Sequence, residues 1–391
     1  MQLSDRITGI NAGGSDGWGI YIKARDMERA GQKVIHLTIG EHDVRTDRTI
    51  LDAMHAATLA GHTGYSFGSG SPGLRERIAR RVSERTGVTT TPDNVLVVPG
   101  GQAGLFATHM AACDPGDRAL FIDPYYATYP GTIRSVGARP VPVLARAERM
   151  FQPDAADIAA AAGDGAASLL INSPNNPTGV AYSQETMEGI ARTCQDHDLW
   201  LISDEVYDTQ LWHGRHITPR ALPGMAERTL VIGSLSKSHA MTGSRIGWVV
   251  GPEEALEHMG HLATNTTYGV AGFVQEAASF ALDQGEGFET TIAAPFRRRR
   301  DLVLRLLDGQ NVVRPIPPDG TMYVMLDIRA TGLSGEAFAE ALLDKHHVAV
   351  MPGESFGKAA AGHLRVALTV DDAQLEEAMR LLLALAAERA G

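Results

Sequence analysis

The segment SLSKSHAMTGSRIG, residues 234–247, sets one lysine, Lys237, among serines, an alanine and glycines, with Arg245 eight positions later and no carboxylate in the stretch. A shielded ammonium without a counter-charge is costly, whereas a desolvated neutral lysine is a nucleophile that forms Schiff bases with carbonyls. Other reactive residue types share its place at the end of an apolar run. Asp204 closes LWLIS with Tyr207 three residues on, SPNNPTG (173–179) follows SLLIN, and Gly100, Gly101 and Gln102 follow NVLVV. Glycines at a strand-to-helix turn let backbone N–H groups and the helix dipole hold a phosphate. Ser234, Ser236 and Arg245 would add hydroxyls and a rigid guanidinium fork. A shielded Asp204 needs a donor or cationic partner. Each residue also has a plainer reading: a tight turn for Gly100–Gln102, a helix N-cap for Asp204, a snorkelling surface lysine for Lys237.

The elements that must position them are legible as alternation. From about residue 92 to 250 short apolar runs (NVLVVPGG, RALFIDP, ASLLINSP, LWLISDE, TLVIGS, IGWVVGP) alternate with helical patterns such as QAGLFATHMAA and QETMEGIARTCQDHD. This predicts an α/β fold with a mostly parallel, doubly covered sheet. In such sheets ligands sit outside the carboxyl ends of the strands, and four of those ends carry the residues above. From about 286 the pattern changes to PFRRRRDLVLRLLDG, TMYVMLDI, SGEAFAEALLDKHH, HLRVALTV and a terminal helix, a smaller α+β unit. The expected organisation is an arm with one helix plus part of the small domain over 1–49, a large domain over 50–285 and a small C-terminal domain over 286–391. A phosphate cradle, a Schiff-base lysine and an acid able to pair with a ring nitrogen are together what a protein supplies to pyridoxal 5′-phosphate.

Composition narrows the class of partner. The chain has 391 residues, 44% hydrophobic and 21% charged, as in ordinary globular enzymes. A net charge of −11 offers no basic field for nucleic acid or anionic lipid. Cys113 and Cys194 lack metal-ligand or disulfide-framework spacing. No apolar stretch approaches the roughly 20 residues of a membrane span, and the start lacks a signal-peptide pattern; a cytoplasmic protein is expected. GSGSPG (68–73) follows no apolar strand, and GSLSKS lacks the P-loop glycines, so neither nucleotide-binding reading survives. The run Arg297–Arg300 reads as a solvated helix face, and His346 and His347 lack a metal-ligand spacing.

With these residues in place, SPNNPTG, SDEVY, SLSKSHAMTGSRIGW and HLRVAL resemble the class I/II aminotransferases of the fold type I pyridoxal-phosphate superfamily. VIHLTIGEHDV is similar to that family's early Gly-Glu-Pro-Asp strand, GYSFGSGSPGLRERIA to its Gly-Leu-Arg segment and DPYYATYP to its aromatic loop, so the likeness covers nearly the whole chain. The resemblance implies a large domain with a mostly parallel sheet, a smaller α+β domain and a homodimer with shared active sites. It implies that Lys237 holds pyridoxal 5′-phosphate as a Schiff base and shuttles a proton, that Asp204 pairs with the pyridine nitrogen, and that Asn176 and Tyr207 bond the phenolic oxygen. Tyr126 would stack on the ring. Gly101, Gln102, Ser234, Ser236 and Arg245 would bind the phosphate, with Tyr65 reaching the neighbouring subunit's cofactor. Arg365 would take the substrate α-carboxylate, helped by Asn176 and the Gly40 backbone. His42 departs from the pattern, standing where the family often has proline.

The reaction so implied moves the α-amino group of an L-amino acid to a 2-oxo acid by a ping-pong route. A β-eliminating C–S lyase on the same fold would keep the same lysine. A ligand-sensing regulator that retains the fold would need a DNA-binding segment, and none is recognisable before residue 40. Trp18, Ile20, Tyr125 and Tyr268 are candidates for lining the side-chain pocket, and aspartate, aromatic and neutral aliphatic substrates all stay open.

Overall fold

The computed structural model describes residues 1–12, 17–163 and 165–390. Its strands are β1 (Ile35–Leu37), β2 (Val95–Val98), β3 (Arg118–Asp123), β4 (Arg139–Leu144), β5 (Ala166–Asn172), β6 (Trp200–Asp204), β7 (Thr229–Ser234), β8 (Gly247–Val250), β9 (Arg314–Ile316), β10 (Tyr323–Asp327), β11 (Val348–Pro352) and β12 (His363–Ala367). The apolar runs of the central sequence are these strands. Runs such as VLVV and GWVV are buried at every position, as expected of a sheet covered on both faces.

Seven strands form one sheet in the order β2-β8-β7-β6-β5-β3-β4. The neighbours β7-β6-β5-β3-β4 all run parallel. Only β8 is antiparallel to its neighbours, and it stands between β7 and β2, so β2 points the same way as the rest. The carboxyl ends of β2, β3, β5, β6 and β7 therefore share one edge. Because Gly247 pairs with both Ser234 and Val98, Arg245 enters that edge just ahead of β8. Helices cover the sheet by ordinary amphipathy: Gln184–Asp196 is capped by Ser183 Oγ, which accepts the Thr186 N–H at 3.1 Å, and buries Met187, Ile190 and Cys194.

The second sheet has five strands in the order β1-β11-β12-β10-β9, with β1 parallel to β11 and the other pairs antiparallel. Residues before 49 thus contribute a strand to this layer, and their arm carries two helical segments, Asp5–Thr8 and Gly19–Arg29, where the pattern predicted one. A 23-residue helix, Gly285–Leu307, enters this second body. Its arginine run is not uniformly solvated. Arg298 bonds Asp372 at the surface, but Arg299 is 4% exposed, donates to Asp43 and Asp372, and donates to the Leu368 carbonyl at 3.0 Å. One face of the helix packs inward, so one of four consecutive arginines is buried and must be paired there. Among the described residues no helix is long and apolar enough to cross a membrane.

Candidate active site

Lys237 lies in the one-turn helix Leu235–Ser238, whose N-cap Ser234 accepts the Ser236 N–H at 3.1 Å. The lysine Nζ donates to the Gly40 carbonyl at 2.5 Å, and its own carbonyl accepts from Gln210 Nε2 at 3.2 Å. Among the described residues no carboxylate pairs with it. Burial is the main reason its pKa lies below that of a free lysine; Tyr323 and Glu41 pull the other way. Burial thus shifts the balance toward the neutral, nucleophilic form.

Asp204, at the carboxyl end of β6, is 5% exposed. Tyr129 donates its hydroxyl to Oδ2 at 2.6 Å, and the Val206 N–H reaches Oδ1 at 3.4 Å, the trace of an N-cap. Burial pushes the carboxyl up to about 6, against the Tyr129 hydrogen bond, which lowers it. Asn172, one strand over, donates to the Asp204 carbonyl at 2.8 Å and accepts the Asn176 N–H at 2.7 Å, which fixes the SPNNPTG turn to the acid's strand.

The cradle forms where the Gly101–Ala112 helix begins. Gly100 caps it at φ +79°, and a Cβ there would collide with the Arg245 guanidinium. Ser234 Oγ bonds Ser236 Oγ at 2.9 Å, and Arg245 Nη1 donates to the Thr242 carbonyl at 2.7 Å. The Gln102 side chain is engaged by Thr132 at 2.7 Å and Thr128 at 3.0 Å, so what it offers the cradle is its backbone.

From the other sheet comes Arg365, on β12 and 2% exposed. Nη1 donates to Asn176 Oδ1 at 2.8 Å and Nη2 to the Thr38 carbonyl, while Nε is buried without a partner among the described residues. Its Cζ lies 4.3 Å from the Tyr323 ring centre and 4.4 Å from that of Phe356. Two aromatic faces therefore clamp the guanidinium. Lys237, Asp204, Tyr129, the Gly101–Gln102 turn, Ser234, Ser236, Arg245 and Arg365 line one cavity of about 310 Å³, within the usual size of small-molecule sites.

The model of the family described as aminotransferase class I and II matches residues 32–382. The chain belongs to this family. The aminotransferase is 42% identical over 391 residues, the full length of both chains, to an arginine–pyruvate transaminase of Pseudomonas aeruginosa. It is 35% identical to an aspartate/prephenate aminotransferase of Thermus thermophilus, over 92% of this chain and 93% of that one. Among solved structures, aspartate aminotransferase from Thermus thermophilus with maleate matches with a TM-score of 0.92 at 33% identity, covering 98% of this chain and 100% of that one. These matches establish the fold type I architecture and amino-group transfer as the activity, in place of the C–S lyase.

Within the aminotransferase, Gly40, Gly101, Gln102, Tyr126, Asn176, Asp204, Tyr207, Ser234, Ser236, Lys237, Arg245 and Arg365 all line the cavity. Tyr65 does not: it is 91% exposed and packs against Tyr268, ring centres 4.8 Å apart. Of the pocket candidates, Trp18 lines the cavity and Tyr125 lines a larger adjoining one of about 1200 Å³. Ile20 is core, 5% exposed, and Tyr268 lies at the surface. Sequence reasoning missed Tyr129, Asn172 and Tyr323. Tyr129 had a signal, three residues beyond Tyr126 in the same aromatic loop. Tyr323, whose hydroxyl accepts from Tyr207 at 3.2 Å, reads in sequence only as a strand residue.

Proposed function

We propose that the cavity binds pyridoxal 5′-phosphate and that the enzyme passes the amino group of a basic amino acid of the arginine type to pyruvate, by a ping-pong route. The observation that carries the cofactor reading is the juxtaposition in one cavity of a lysine and a buried carboxylate, neither in an ion pair among the described residues, and a glycine-opened cradle against Arg245. The residues fit the group. When bound, it supplies an aldehyde that condenses with amines and a cationic ring that withdraws electrons from the amine-bearing carbon.

Lys237 Nζ would hold the group covalently and would serve as the base that takes the proton from the donor Cα. Asp204, oriented by Tyr129, would keep the ring nitrogen protonated. Asn176 and Tyr207 would bond the phenolic oxygen, and Tyr126 would cover the ring. The N–H groups of Gly101 and Gln102, the hydroxyls of Ser234 and Ser236 and the Arg245 fork would hold the phosphate. Arg365 would take the carboxylate shared by both substrates, with Gly40 and Asn176 beside it. The exposed Tyr65 and Tyr268 support a homodimer in which Tyr65 reaches the neighbouring subunit's phosphate. The charge balance and the two buried, unbridged cysteines support a cytoplasmic setting.

The donor class is supported by the full-length likeness to the arginine–pyruvate transaminase. It is also supported by charge: the described cations lining the cavity are Lys237, Arg245 and Arg365, each with a task, which leaves none for a side-chain carboxylate, whereas the acidic Glu41 lines the same cavity. The test is a single-turnover absorbance experiment on purified holoenzyme with L-arginine, L-aspartate, L-phenylalanine and L-alanine in turn, the 2-oxo acid being quantified. Arginine is expected to react fastest; aspartate outpacing it would overturn the donor assignment.

A further inference from the structure

The segment after β11 touches three parts of the site at once. Its turn Gly353–Phe356 ends in the wholly buried Phe356, one of the two rings on Arg365. Ser355 Oγ donates to the Gly17 carbonyl at 2.9 Å, next to Trp18 in the arm. The Phe356 carbonyl accepts the Tyr125 N–H at 2.9 Å, next to Tyr126 in the aromatic loop. The far end is held by Asp123, the last residue of β3. Its Oδ2 accepts the Lys358 N–H at 2.9 Å and its Oδ1 the Ala359 N–H at 3.2 Å. Gly357, at φ +113°, makes the approach possible, because a Cβ there would collide with the Asp123 carboxylate.

Asp123 is 2% exposed, and burial pushes its carboxyl up to about 6 against the two backbone bonds, which lower it. A carboxylate is a costly way to fill space in a core where an apolar side chain would do. What it provides is a directional grip on two successive N–H groups. The anchored segment also belongs to a buried apolar cluster running from Leu120 and Ile122 of β3 through Phe356 to Met351 of β11, so movement at the anchor reaches the ring directly.

We propose that Asp123 is a positioning residue for carboxylate recognition: by gripping Lys358 and Ala359 it fixes the Phe356 ring against the Arg365 guanidinium, across the junction between the two sheets. This builds on the reading of Arg365 as the carboxylate group. The same segment ties the arm beside Trp18 and the loop carrying Tyr126 to that arginine, so one contact sets the geometry of three walls.

The test uses holoenzyme. Asp123→Asn leaves one carbonyl acceptor where there are two, and Phe356→Leu keeps apolar volume but removes the ring. For each, kcat and KM are measured for the donor and the 2-oxo acid, and the Kd of propionate, a carboxylate that cannot react, is measured by calorimetry. Both variants are expected to raise both KM values and the propionate Kd about tenfold, the worth of roughly one good hydrogen bond, with kcat little changed. Arg365→Gln is run alongside. If it raises KM and the propionate Kd while Asp123→Asn and Phe356→Leu do not, the positioning role is overturned. If Arg365→Gln itself leaves both unchanged, the Arg365 reading fails instead. A fall in kcat and cofactor content at unchanged KM marks Asp123 as support for the fold alone and overturns the proposal. Should Asp123→Asn not fold, Gly357→Ala breaks the same contact from the other side.

Discussion

The two sheets equip the site in different ways. The seven-stranded sheet delivers Lys237, Asp204, Asn176 and the glycine-opened helix from loops at the carboxyl ends of its strands, each within a few residues of an apolar run. The five-stranded sheet delivers Arg365 from the middle of β12, and that arginine is oriented by Asn176, Thr38 and Tyr323, all distant in sequence, and by Phe356, nine residues before it. One half is a row of strand ends whose chemistry is written locally. The other is a single cation whose orientation exists only once both sheets have packed. The chemical half should therefore fail through loss of a reacting group, and the recognition half through loss of orientation.

The sharpest break of this contrast is Lys237→Ala. It is expected to lower kcat by at least the roughly 10²- to 10⁴-fold of a general base, while the apparent affinity for the 2-oxo acid, read by competition, stays near wild type. Wild-type-like turnover would remove Lys237 from the chemistry. Next in size, Arg365→Gln should lower kcat/KM for donor and acceptor alike by about 10²-fold, as expected from losing a charge-assisted bidentate pair, without altering the bound-cofactor spectrum. A loss confined to one substrate would show that the carboxylate is read elsewhere.

The smallest effect concerns the scaffold of the chemical half. His109, in the helix that opens the cradle, is wholly buried, its ring has no hydrogen-bond partner among the described residues, and burial pulls its pKa from 6.5 down to about 4. His239, next to the lysine turn, is lowered in the same way. Such a group stays neutral in the native state while the unfolded chain takes up a proton below pH 6.5. Stability is therefore fully present above that value and is lost as pH falls toward 4. For His109 alone the loss between pH 7 and pH 5 should be about 2 kcal/mol, read as a shift in urea midpoint. His109→Leu should flatten that part of the dependence, and an unchanged pH slope in the variant would count against a neutral buried His109.

The half built from strand ends was readable because glycine, serine, aspartate and lysine after apolar runs are local signals, and a parallel sheet brings all such ends to one edge. Tyr65 was placed by likeness to a family, and the single chain leaves it at the surface, away from the cavity. The misreadings have a common cause. Arg299 looked like one of four solvated arginines until the helix face was known, and Ile20 looked like pocket lining until the arm was seen to pack into the core of the five-stranded layer.

By itself, then, the sequence determined the α/β alternation, the strand ends, the lysine and the acid, because periodicity and turn chemistry act over a few residues. Only the tertiary structure decided that Tyr129 orients Asp204, that Tyr323 and Phe356 clamp Arg365, and that Asp123 grips Lys358 and Ala359. The partners in these contacts are separated by 42 to 236 positions, except for the Phe356–Arg365 pair. Even that pair is set by the sheet beneath it: side chains so placed meet through packing of whole layers, which no local pattern encodes.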